Sequence, residues 1–96
     1  AQAWSNLGEA HFRANENDQA QSCFRQSDAL AGSPERYADI LFFNAFYEWK
    51  MATCQGNPTR EKIAFGRLKA LRSSLENRFL EVEAFDALVE RRRSDG

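Results

Sequence analysis

Histidine occurs once in this sequence, proline and cysteine twice each, and glycine five times. Each scarcity removes something. A single histidine, His11, leaves no His-rich metal site and makes any Ser-His-Asp or Cys-His arrangement depend on one residue. His11 falls in a helix-packing stripe and reads as a core histidine with one hydrogen bond rather than as a base. Cys23 and Cys54 lack the close spacing of a metal site and the density of a disulfide scaffold. Both stand among apolar residues, as buried free thiols in a reducing cytoplasm do. There is no Gly-rich phosphate loop, no Cys-x-x-Cys and no His-Glu-x-x-His, so the expectation is a non-catalytic chain without metal or cofactor.

Charge of one sign is also lacking. Thirteen Lys and Arg against fourteen Asp and Glu leave a formal charge of -1, which gives no global field to gather nucleic acid. The basic run Arg91, Arg92 and Arg93 reads as a solvated helix end favoured by the helix dipole. No apolar run reaches membrane length and no signal peptide is present, so no membrane contact is expected. The first residue is Ala1 rather than Met, which suggests a domain cut from a longer chain.

What is present suits a small helical domain. The chain has 96 residues, is 43% hydrophobic and contains eight phenylalanines, enough for one thin but real core. With so few prolines and glycines, long helices joined by short turns are expected. Trp4, Leu7, Gly8, His11 and Phe12 mark one face of a helix over residues 3–14. Asn15 to Asp18 form a polar turn with Asp18 as N-cap, and Ala20, Cys23, Phe24, Ser27 and Leu30 mark a second helix over 18–31. A connection this short makes the pair an antiparallel hairpin. Gly32 ends it, and Ser33-Pro34 restarts the chain as N-cap and first helical residue.

The third helix, from about Pro34 to Gln55, is apolar on almost its whole circumference, with Gly56 as its left-handed stop. It is either the central pillar of the domain or a helix with one face awaiting a partner. Asn57-Pro58-Thr59 then turns into a fourth helix over 59–76, whose buried stripe is Ile63, Ala64, Leu68, Leu71 and Leu75. A break near Asn77 precedes a fifth helix marked by Phe79, Val82, Phe85, Leu88 and Val89. Without that break the last two helices are one. Glu81, Glu83, Asp86 and Glu90 beside that stripe read as a solvated face.

The first hairpin resembles a tetratricopeptide repeat, whose first helix carries Trp, Leu-Gly and an aromatic and whose second carries small and aromatic residues. Trp4, Leu7 and Gly8 fit, His11 takes the aromatic position, Ala20 and Phe24 fit, and Ser27 replaces the third small residue. Gly8 and Ala20 are small where two helices cross closely, with Trp4 and Phe24 filling the space beside them. Residues 35–76 are similar to a degenerate second repeat, threaded through Ala52, Gly56, Ala64 and Leu68. Residues 77–93 would then be a cap. The resemblance implies an all-α fold of antiparallel hairpins, four to five helices in a single domain over 1–96, with repeat one at 1–34. The helix order and the stretch from Leu68 to Arg92 are also similar to the helical C-terminal regions of bacterial helix-turn-helix regulators that sense peptides.

The resemblance further implies a protein or peptide partner held along the first helix of each pair. Chaperone-binding members of the family hold a C-terminal carboxylate with a Lys and an Asn four apart. The matching positions here are Ser5 and Glu9, and an acid there repels a carboxylate. Asn44 and Glu48 lie four apart on the apolar third helix. They either bond to a neighbouring helix, through Arg67 or Lys69, or face a bound segment, since a buried carboxylate needs a partner. The expected peptide groove is Ser5, Glu9, Phe12, Arg13, Asn44 and Glu48, suited to a neutral or basic segment. The alternative is an oligomerisation or sensor domain of a bacterial transcriptional regulator. In that case Phe42, Phe46 and Trp49, a ridge at helical spacing, form the interface of a homodimer.

Overall fold

The fold is that of a computed structural model, which describes residues 1–32, 34–76 and 78–95. The side chains of residues 34, 35, 94 and 95 lie outside the description, as do Ser33, with its expected cap, and Asn77, at the expected break. Five helices follow one another: α1 (Gln2–Arg13), α2 (Asn17–Ala31), α3 (Pro34–Cys54), α4 (Pro58–Arg72) and α5 (Leu80–Asp95). The protein is all-α, and no strand occurs among the described residues. Its radius of gyration, 12.9 Å, is close to the ~13 Å of a compact 100-residue domain.

Turn chemistry sets the boundaries. Asn15 takes a positive φ of 63° between α1 and α2, a conformation asparagine tolerates better than most residues. The N-cap of α2 is Glu16, without a side-chain cap bond, and not Asp18. Asp18 lies in the first turn, where its charge still favours the helix N-terminus. Gly32 and Gly56 adopt φ values of 69° and 65°, a left-handed geometry that stops α2 and α3 with little steric cost. Asn57 caps α4 by accepting from the Arg60 amide at 3.1 Å, with Pro58 in the first turn. The fourth helix ends at Arg72, earlier than its apolar stripe suggests, so α4 and α5 are separate.

Helices α1 and α2 form one tight pair and α3 and α4 another, with α2 packed on α3 and α5 laid against α3. Gly8 explains the first pair. A Cβ built on it would sit 2.8 Å from the Phe24 ring, closer than carbon atoms can approach, so only glycine admits that ring. Phe24 and Ala20 are fully buried. Trp4 does not fill the space beside them. It is 39% exposed, and Leu7 is exposed too, because α1 turns that edge away from α2 and α3.

Of the two roles left open for α3, its burial fits the central pillar. Leu41, Phe42, Ala45, Phe46, Tyr47 and Met51 are all buried, enclosed by the other four helices. Tyr47 stacks on Phe24 at 5.8 Å and meets Phe12, Phe43 and Phe46 edge-on or tilted. Farther along, Phe42 meets Phe79 and Phe85, and Trp49 meets Phe65. Ring pairs at such separations add to the stabilisation from burial alone. The ridge of Phe42, Phe46 and Trp49 is therefore interior to one copy of the chain: Phe42 and Phe46 are buried and Trp49 is partly so.

Two smaller expectations also change. Cys23 is buried, but Cys54 is exposed at the end of α3. The Arg91–Arg93 run is not wholly solvated, since the Arg92 guanidinium lies over the Phe65 ring at 4.2 Å and ties α5 to α4.

Candidate functional site

The polar residues of α1 and α3 divide into three groups. The first is a buried knot. Ser5 donates to Asn44 Oδ1 at 2.6 Å, and Asn44 Nδ2 donates to Ser27 Oγ and Asp28 Oδ1 at 2.9 Å each. Ser27 in turn donates to the Ala1 carbonyl at 2.8 Å. Ser5, Ser27 and Asn44 are essentially inaccessible, so this network fixes the register of α1, α2 and α3. Ser5 and Asn44, expected to face a bound segment, instead spend their hydrogen bonds inside the fold. Ser27 occupies its small-residue position because it also completes the knot.

The second group lies between α3 and α4. Glu48 accepts from Arg67 at 3.1 Å, and Arg67 also reaches Asp28 at 3.5 Å. Burial pushes the Glu48 carboxyl above its ordinary value, and the Arg67 charge opposes that rise. Glu48 thus bonds to a neighbouring helix through Arg67, one of the two cations expected.

The third group surrounds Tyr47, half-way along α3. Its hydroxyl lies 3.0 Å from Glu81 Oε2 and 3.3 Å from Glu9 Oε1. Glu9 is also held by Arg13, four residues on, at 2.7 Å, and Phe12 packs edge-on against the Tyr47 ring. Burial, then the charge and hydrogen bond of Glu81, hold the phenol well above its usual value, so it remains a donor.

Beside this group opens a cleft of about 340 Å³ lined by Gln2 and Ser5 of α1, Asp39, Ile40 and Phe43 of α3, Phe79, and Glu81 of α5. Its walls combine three apolar side chains with two acids, and none of these seven residues is basic. A cleft of this size, apolar with a few placed polar groups, is the usual form of a binding site. Of the expected groove residues, Ser5 lines the cleft, Glu9, Phe12 and Arg13 cluster at Tyr47 outside that lining, Asn44 lies below the surface and Glu48 turns to α4.

Sequence reasoning missed Tyr47 and Glu81 as site residues. Glu81 is 8% exposed while its neighbour Leu80 is 71% exposed, so the carboxylate points inward and the leucine outward. The available clue was its place four residues before Phe85, on the buried face of α5. Asp86 likewise is not merely solvated, since Arg72 and Arg78 both hold it. His11 is half-buried at the end of α1, 3.2 Å from Glu16.

Among the described residues no group of three or more His, Cys, Asp or Glu side chains is placed to hold a metal ion. No described helix is long and apolar enough to cross a membrane. In comparisons with known proteins, no family model, no curated protein and no solved structure matches the chain.

Proposed function

We propose that this chain is a non-catalytic interaction module of tetratricopeptide-like build, which holds a neutral or basic segment of a partner protein in the cleft between α1, α3 and α5. The observation that carries this reading is the cleft itself: apolar walls at Ile40, Phe43 and Phe79, an acidic rim, and no basic lining residue. Its position agrees with the surface a tetratricopeptide-like arrangement would offer, lined by the first helix of each hairpin and closed by the fifth helix.

A selection of displayed peptides against the chain, followed by binding to Ile40→Arg and Asp39→Lys variants, tests it. Asp39 is exposed, so its substitution changes the rim without disturbing the core. Selected peptides are expected to lose affinity for both variants. Peptides that bind both as well as the parent chain contradict the reading.

A specific observation favours the second reading, an oligomerisation or sensor domain of a bacterial transcriptional regulator. Ala3, Trp4, Leu7 and Ala10 are all exposed on one arc of α1, and Leu30 on α2 is 61% exposed. An apolar stripe of this kind favours association. Light scattering over a dilution series decides it: a dimer that Leu7→Glu dissociates supports this reading, and a monomer throughout removes it.

A further inference from the structure

Resting on the cleft reading above, we infer that Glu81, held in place by Tyr47, is the receptor for one cationic side chain, a lysine or arginine carried by the partner segment. Glu81 is more than nine-tenths buried and lines the cleft. Its bond among the described residues comes from the Tyr47 hydroxyl, and no Lys, Arg or His pairs with it there. That hydroxyl has one proton and two carboxylates within reach, Glu9 and Glu81. It cannot satisfy both at once. Glu9 has Arg13 as a second partner, whereas Glu81 has none among the described residues.

A buried carboxylate without a counter-charge is unfavourable, and a fold selected only for stability would replace it with an apolar residue. The inversion at the start of α5 makes the point locally: Leu80 lies outside and Glu81 inside. The N-terminal turn of α5 offers the charge partial support, since a helix start tolerates an anion. Arg13 pairs with Glu9 and stands within reach of the Tyr47 hydroxyl, but no described cation pairs with Glu81, and the surroundings suit a long one. Ile40, Phe43 and Phe79 provide apolar walls for an alkyl stem, the two rings provide faces for a cationic head, and Asp39 adds a second negative charge at the rim. An anionic ligand would meet Asp39 and Glu81 with no basic lining residue to offset them.

The test uses two capped peptides, acetyl-Leu-Ala-Arg-Ala-Leu-amide and the same peptide with citrulline, which keeps the shape of arginine but removes its charge. Amide spectra of the isotope-labelled chain are recorded during each titration. The arginine peptide is expected to shift the amides around Phe43, Phe79 and Glu81, with the citrulline peptide roughly tenfold weaker, the loss of one charge-assisted contact. Glu81→Gln should give a similar loss and Glu83→Gln, exposed one position beyond Val82, none. Asp39→Asn, exposed and remote from the core, should weaken the arginine peptide by a smaller factor should Glu81→Gln not fold. Equal binding of both peptides in the cleft overturns the cation receptor and leaves the cleft reading standing. An arginine peptide that shifts no cleft amide at millimolar concentration also overturns it, and the displayed-peptide selection then decides the fate of the cleft separately.

Discussion

The two hairpins reach similar compactness by different means. In the first, α1 and α2 approach closely because Gly8 leaves room for the Phe24 ring, and small polar residues tie the pair to α3. In the second, α3 and α4 are held mainly by bulk, the aromatic rings along α3, with Arg67 of α4 paired to Glu48 of α3. Glycine itself behaves differently in the two. Gly8 is a packing requirement, whereas Gly66, on exposed α4 surface, has no neighbour within 4 Å of an added Cβ. A close backbone crossing leaves a residue-specific mark in the sequence. Packing by bulk leaves only hydrophobicity, which many residues can supply.

The largest expected effect lies in the second region. Phe42→Ala should destabilise the chain by about 3–5 kcal/mol in chemical denaturation, as loss of a fully buried ring does. A loss under about 1 kcal/mol would mean that Phe42 is not core and would revive it as an interface residue. Asn44→Ala, which removes one hydrogen-bond partner each from Ser5, Ser27 and Asp28, should cost about 2–3 kcal/mol. A neutral result would show that the knot does not join the first hairpin to α3.

The same substitution at two glycines sharpens the contrast further. Gly8→Ala should destabilise by about 1–3 kcal/mol through overpacking against Phe24. Gly66→Ala should stabilise by about 0.5–1 kcal/mol through lower backbone entropy in the unfolded chain. Thermal melts of both variants check the pair, and equal signs would remove the distinction between the hairpins.

The smallest expected effect is a pH dependence in the α3–α4 hairpin and its contact with α5. Hydrogen bonds from Arg72, then from Arg78, hold the Asp86 carboxyl below its ordinary 3.8. That contribution is present above the unfolded value and is lost as pH falls through the lowered folded one. Glu48 has the opposite sign. Its folded value lies above the ordinary 4.5, so its contribution is full below 4.5 and declines as pH rises toward the folded value. The stability gap between parent and Asp86→Asn should therefore shrink on acidification. Glu48→Gln should compare better with the parent at neutral pH than in acid. Denaturation midpoints measured across the acid range check both, and parallel curves for all three proteins would contradict them.

These contrasts also explain what was legible in the sequence. An all-α build of four to five helices, the hairpin turns and the crossing at Gly8 could be read, because periodicity, Gly32, Gly56 and Asn57-Pro58 record backbone events directly. Which face of α3 meets which neighbour could not, since its apolar residues encircle it and any of them could have been outermost. Trp4 was misplaced beside Phe24 because spacing gives a residue's face on its own helix but not the rotation of that helix against the next. Glu81 was hidden for a related reason. Composition assigns an acid to solvent, and only the docking of α5 on α3 turns it inward to Tyr47. The cleft spans three helices distant in sequence, so no local pattern announces it.

The most direct test of the account maps a display-selected peptide onto the labelled chain by amide shift perturbation. The account predicts shifts centred on Gln2, Asp39, Ile40, Phe43, Phe79 and Glu81. Shifts centred instead on the stripe of Trp4, Leu7 and Leu30 would contradict it and make the outer face of the first hairpin the binding surface.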